Sequence, residues 1–209
     1  MRILICISQM LIFGIFCSAE AIYANESDMS VATLEKLMTA RKSIKETSAA
    51  FTEDKKVSAL KEILHMQGTL LYRSPNYLLK IYTSPERISY EATNDSILIK
   101  NLDGNSEEEE QIIGIDRIPV LHAFIAGLRG ILGGNIKDVR EFFQVDFSAS
   151  AQNWSIKLIP KDDETRKQIS ELIIRGKNEQ VLNIEINENS GDSSITTIMP
   201  YNTINTLMY

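Results

Sequence analysis

Two histidines, His65 and His122, the quartet Ser58-Ala59-Leu60-Lys61, the glycine run from Gly127 to Gly134 and the acidic stretch Glu107 to Glu110 are where this sequence offers reactive or ion-binding groups. None has the company its chemistry requires. A zinc site or a histidine base needs further ligands or an orienting carboxylate at defined spacing. His65 and His122 stand far apart with no such pattern, so each reads as a surface or satisfied core histidine. Ser58 and Lys61 match the Ser-x-x-Lys of penicillin-recognising hydrolases, yet the Ser-Asp-Asn and Lys-Thr-Gly partners are missing. The glycine run lacks the Gly-Lys-Ser/Thr ending of a phosphate loop and follows a helical pattern rather than a strand. Adjacent carboxylates repel one another, so Glu107 to Glu110 reads as a solvated loop. No catalytic residue, metal or cofactor is expected.

Both cysteines, Cys6 and Cys17, fall in the first two dozen residues, where Met1-Arg2 leads into an apolar run from Ile3 to Cys17. The run is shorter than the about 20 residues of a membrane helix. Small-residue cleavage signals follow, at Ala19-Glu20-Ala21 or Ile22-Tyr23-Ala24, so residues 1–24 read as a secretory signal peptide and 25–209 as one domain. A lipid-modified Cys17 is disfavoured by Phe16 before it. Without the peptide the chain has no thiol, and neither disulfides nor a cysteine nucleophile is expected. Arg2 and Glu20 cancel, so the net charge stays at −6 with basic residues scattered among acidic ones, which argues against nucleic acid as a partner. The Asn-x-Ser triplets at Asn25, Asn94 and Asn153 would accept glycans only in a eukaryotic source.

If reactive groups are not the point, the elements that carry the apolar residues are. Val31, Leu34, Leu37, Met38 and Ile44 fall on one stripe of a helix over about Asp28 to Lys45, with Asp28 or Ser30 as its cap. Strands then dominate: Ser48 to Val57, Leu64 to Arg73, Tyr77 to Thr83, Arg87 to Thr93, Ser96 to Asn101, Gln111 to Ile115, Phe143 to Ala149, Trp154 to Pro160, Ser170 to Arg175, Val181 to Asn187 and Ser194 to Met199. Turn residues between them predict an antiparallel meander curling into a barrel-like sheet. One helical stretch interrupts it behind Pro119, with Leu121, Phe124, Ile125, Leu128, Ile131 and Leu132 on its apolar face, and a short helix follows from Asn135. Periodicity alone makes the first a core helix packed on the sheet. Gly127 and Gly130 each cost it about 1 kcal/mol relative to alanine, which loosens a strongly apolar helix.

The hairpin "GTLLYRSPNYLLKIYTSP", residues 68–85, has too many apolar side chains for one buried face. Its second strand allows either parity at Lys80. Tyr77, Leu79 and Ile81 form the more apolar set, which would leave Leu78, Lys80 and Tyr82 toward solvent.

The signal peptide, the helix, "SAAFTEDK" and "QGTLLYRSPNYLLKIYTSP" together resemble the start of the periplasmic lipoprotein carrier family LolA. The family's Phe-x-Gln/Glu strand falls on Phe51 and Glu53, and its proline-bounded hairpin on Pro75 to Pro85. "GGNIKDVREFFQVDF", "NWSIKLIPKD", "ELIIRG" and "SGDSSITTIM" resemble a LolA-related branch. The resemblance implies a mainly β fold with an α lid, a half-open antiparallel β-barrel closed by helices. It also implies a non-enzymatic periplasmic carrier, a monomer that takes lipid or acylated protein from an inner-membrane donor to an outer-membrane acceptor. The implied lipid-binding residues are Leu70, Tyr72, Leu78, Lys80, Tyr82, Leu121, Phe124, Ile125 and Leu128, with Lys80 now facing the cavity and reaching an anionic head group.

The sequence departs from the family where its latching arginine precedes the turn proline, since Ser74 stands there and Arg73 lies one place earlier. The cargo stays open between lipoprotein, glycolipid and polyene conjugate. An RseB-like sensing module of the same fold is the alternative, and a secreted hydrolase a more distant one.

Overall fold

Short connections rich in Ser, Pro, Asn, Asp and Gly return most strands beside their predecessors, and a chain built from them can pair locally along most of its length. The computed structural model, which describes residues 33–103 and 110–200, carries this through as one antiparallel sheet of eleven strands. In chain order they are β1 (Glu46–Lys56), β2 (Leu64–Arg73), β3 (Tyr77–Ser84), β4 (Ile88–Ala92), β5 (Ser96–Asn101), β6 (Glu110–Gly114), β7 (Phe143–Ser150), β8 (Asn153–Pro160), β9 (Ile169–Lys177), β10 (Gln180–Glu188) and β11 (Ser193–Pro200). The spatial order runs β6-β5-β4-β3-β2-β1-β11-β10-β9-β8-β7. Two meanders are therefore sewn together where β1 pairs with β11, and the sheet's two edges, β6 and β7, are consecutive in sequence. The chain that links those edges has to cross a face of the sheet. Every strand expected from sequence forms, with ends displaced by no more than two residues.

That crossing segment is helical. A 3-10 turn (Ile115–Arg117) leads into α2 (Pro119–Gly133) and then α3 (Ile136–Phe142); α1 spans 33–41 ahead of β1, and α4 (Asp163–Gln168) lies between β8 and β9. Pro119 sits at the start of α2, where its missing N–H costs nothing, and Gly134 ends it at φ 72°, a conformation that a side chain would strain. The first helix stops short of the expected Lys45: Lys42 and Ser43 turn the chain, and Glu46 already begins β1. Its expected caps, Asp28 and Ser30, lie outside the described residues. The polar sequence of α4 has no apolar period to reveal it. Its signal is the cap, Asp162, whose carboxylate accepts from the Thr165 amide at 2.8 Å.

Register decides which side chains share a face. Paired residues across an antiparallel ladder point the same way, so Phe51, Gly68 and Tyr82 align, as do Ala49, Leu70 and Lys80, and Tyr72 with Leu78 and Ala92. The same face continues through Ile198, Ile184, Ile174, Ile156 and Phe147. The helices cover part of this inner face and leave Tyr90, opposite Lys80, exposed. Leu34, Leu37 and Met38 of α1, Ala123 and Ile131 of α2 and Val139 of α3 pack with Ile156, Leu158, Leu172, Ile174 and Ile184. A second cluster joins Ile125 and Leu121 of α2 to Ala92, Ile97 and Leu78. Phe124 touches both clusters. On the outer face Leu71, Leu79 and Ile81 stay half-exposed.

Candidate functional site

Leu70, Tyr72, Leu78, Lys80 and Tyr82 all stand on the inner face of the sheet, and Leu121, Phe124, Ile125 and Leu128 pack from α2 against its two clusters. The parity that apolarity alone favoured for β3 is thus overturned: Lys80 turns inward and Leu79 and Ile81 outward. The reason is non-local. Phe51 and Gly68 are opposite one another, and a Cβ on Gly68 would lie 2.9 Å from the Phe51 ring and closer still to the Ile81 carbonyl, so the ring seats over a position that only glycine leaves open. This locks the register of β1, β2 and β3.

The inward lysine is held by a polar group that sequence reasoning placed only as part of a strand motif. Glu53 is buried, with 6% of its surface exposed, and its carboxylate pairs with the Lys80 ammonium and accepts from the Tyr82 hydroxyl at 2.8 Å. The ammonium also lies 4.8 Å from the Phe51 ring centroid and 4.7 Å from that of Tyr82, within reach of both ring faces. Burial holds the Lys80 ammonium below its ordinary pKa against the opposing pull of Glu53, and burial followed by the Glu53 charge pushes the Tyr82 phenol up. Lys80 has its counter-ion within the protein, so the anionic partner expected from a head group is already supplied by Glu53.

Across from this floor lies α2, and its glycines have a packing reason rather than the loosening role expected of them. A Cβ on Gly127 would come 2.8 Å from the Phe143 ring, one on Gly130 2.3 Å from Val139, and one on Gly133 2.5 Å from the Tyr72 hydroxyl. Each glycine sits where another element approaches α2 most closely. The helix is tied down by few hydrogen bonds. Arg129 donates through Nη2 to the Thr93 carbonyl, and Arg41 donates through Nε to the Ile131 carbonyl at 2.7 Å and through Nη1 to the Glu179 carbonyl. Arg41 is 2% exposed with no ion pair among the described residues, and burial, countered by Tyr72, brings its guanidinium down to about 10. Arg73, by contrast, faces outward to Glu46 at 2.7 Å.

At the sheet end where the β2–β3 turn meets α2 and α3 there is a cleft of about 740 Å³. Tyr72, Ser74 and Asn76 form its sheet side, and Lys42, His122, Arg129, Asp138, Glu141 and Phe142 bring it charge and two rings. His122 is exposed and packs on Phe142 with ring centroids 4.9 Å apart. His65 pairs with Asp54 at 2.7 Å on the outer surface. Ser58 spends its hydroxyl and amide on Asp192, at 2.5 and 2.8 Å, as a loop contact. Glu110 pairs with Lys100 at 2.6 Å, while Glu107 to Glu109 lie outside the described residues. Among the described residues no cluster of potential ligands could hold a metal ion, and no helix is long and apolar enough to cross a membrane.

The family description "Outer membrane lipoprotein carrier protein LolA-like" matches residues 25–202, nearly the whole chain. The chain belongs to the LolA-like family. Solved structures resemble this LolA-like chain at low identity. A DUF1329 family protein from Desulfovibrio piger is 9% identical over 81% of this chain and 91% of that one, with a TM-score of 0.41. A LolA superfamily protein from Nitrosomonas europaea is 8% identical over 81% and 90%, with a TM-score of 0.41. LprF from Mycobacterium bovis is 11% identical over 80% and 91%, with a TM-score of 0.36. No curated protein matches the sequence. The LolA-like family relates the chain to outer membrane lipoprotein carrier proteins.

Proposed function

We propose that this LolA-like chain is a periplasmic carrier that holds the acyl chains of a lipid or acylated protein between α2 and the inner face of the sheet. In this reading residues 1–24 are a cleaved signal peptide and 25–209 a single, monomeric lipid-binding domain. The domain performs no turnover and passes cargo from an inner-membrane donor to an outer-membrane acceptor. One observation carries the proposal: the seam between α2 and the sheet is apolar on both sides, and the side-chain hydrogen bonds that tie the helix to other elements among the described residues are the arginine-to-carbonyl bonds of Arg129 and Arg41. A seam of that kind can part without breaking a strand ladder, and acyl chains can replace the helix against the same surface. Each methylene buried there contributes about 0.8 kcal/mol, so affinity needs area rather than reactive groups. Leu70, Tyr72 and Leu78 would line the sheet side and Leu121, Phe124, Ile125 and Leu128 the lid. Lys80 and Tyr82, bound to Glu53, would form the polar limit of the tail site.

Phe124 tests the reading because it contacts both clusters. Phe124→Glu puts a carboxylate where no partner awaits it, and it is expected to abolish uptake of a fluorescent acyl probe while the sheet keeps its far-ultraviolet spectrum. Unchanged probe binding by a folded variant would remove the seam as the site, and global unfolding would make α2 a plain core helix.

A further inference from the structure

The cleft beside the β2–β3 turn differs in kind from the seam. Lys42 and Glu141 are exposed and make no side-chain hydrogen bond or ion pair among the described residues. Arg129 spends one nitrogen on the Thr93 carbonyl and leaves its Nε buried without a partner. Asp138 accepts from the Asn135 amide at 2.6 Å through one oxygen. Two cationic side chains, Lys42 and Arg129, thus share one cavity with two carboxylates, Asp138 and Glu141, and none of the four is paired with another of them. A purely anionic ligand would meet the carboxylates and a purely cationic one the basic groups. A ligand with both charges satisfies each side. At about 740 Å³ the cleft is within the about 300–1,000 Å³ usual for small-molecule sites. It is also continuous with the apolar seam, because Tyr72 and Phe142 belong to the packed interior and line the cleft as well.

We propose that the cleft binds the zwitterionic head group of an amphiphile whose tails enter the seam, with Lys42 and Arg129 taking its phosphate and Glu141 and Asp138 its ammonium. This rests on the carrier reading and names the cargo class it leaves open. The charged end of the inner face at Lys80 is neutralised by Glu53, whereas the cleft retains unpaired charge of both signs.

The test uses three ligands with identical tails: dihexanoyl phosphatidylethanolamine, dihexanoyl phosphatidylglycerol and dihexanoylglycerol. Each is titrated against a fluorescent acyl probe held by the full chain. The zwitterionic lipid is expected to displace the probe on the order of tenfold more tightly than either other, the scale of one charge-assisted hydrogen bond. Glu141→Gln should bring it down to the anionic lipid's level, and Lys42→Gln should lower both phospholipids toward the neutral one. Both positions are exposed, so the variants keep their fold. Equal displacement by all three ligands, or a preference untouched by both variants, overturns the cleft assignment and leaves the carrier reading standing. Failure of the unmodified chain to bind the acyl probe removes both. Free phosphoethanolamine binding as tightly as its lipid would make the ligand a soluble zwitterion and overturn the head-group assignment.

Discussion

Glu53 is the most consequential single side chain, because a buried carboxylate survives only through its donors. Lys80→Met removes the stronger of them and leaves Tyr82 alone. A loss of about 1–3 kcal/mol is expected in urea unfolding, the cost of stranding a buried acceptor. Replacing both members, Lys80→Met with Glu53→Leu, should recover most of that loss, since an apolar pair of similar volume avoids the desolvation of two charges. Additive losses in this cycle would mean that the two groups act independently. On the outer face, Arg175 bonds Glu185 at 2.6 Å and, against the effect of burial, holds that carboxyl below the usual range, with help from Asn187. A depressed carboxyl contributes stability at pH values above its unfolded value of about 4.3 and loses it as pH falls through the folded value. Glu185→Gln should therefore lower stability at neutral pH and flatten the loss on the acid side of the stability curve, as thermal melts across that range would reveal.

At the scale of elements, α2 was legible as an amphipathic helix from its spacing and its proline, but the purpose of its glycines was not. Helix propensity treats Gly130 as a defect, so Gly130→Ala would stabilise an isolated helix by about 1 kcal/mol. In the folded protein the new methyl would meet Val139 at 2.3 Å and the Asn135 carbonyl at 3.0 Å. Overpacking of that kind costs about 1–3 kcal/mol, and the expected net result in urea unfolding is a less stable protein. A gain in stability would return the glycine to the role of a loosened joint. The strands were legible throughout because alternation and turn residues are local signals. Among the described residues α4 escaped, being short and polar, as did the 3-10 turn Ile115–Arg117.

The whole molecule is an open sheet whose two edges are joined by the segment that lies across it. If α2 is the lid of the proposed carrier, this connectivity would let it rise as a unit while β1 and β11 hold the halves together. Hydrogen exchange should reflect it. Amides of α2 are expected to open at a lower free energy than those of β8 and β9, whose side chains at Ile156, Leu158, Leu172 and Ile174 are almost wholly buried. An acyl ligand should alter exchange in α2 and leave β8 and β9 unchanged, as measured by mass spectrometry on the free and loaded chain. Exchange of helix and strands together at one free energy would make α2 part of the global core and rule out a separate lid movement.

The residues of this chain by themselves determined the strands, their antiparallel hairpin pairing and the interrupting helix, because each follows from period, turn chemistry or spacing over a few residues. They also carried the family through the Phe51 to Pro85 region. Tertiary structure alone decided which way Lys80 points, because the apolar content of "YLLKIYT" favours the opposite parity and the seat of the Phe51 ring on Gly68 reverses it. It likewise decided that Lys80 has Glu53 for company, that Arg41 and Arg129 bond carbonyls across α2, and that Lys42 and Glu141 line one cleft. These pairings join residues from 27 to 90 positions apart where hydrogen bonds mark them, and no local pattern encodes a contact whose partner is set by the closure of the sheet.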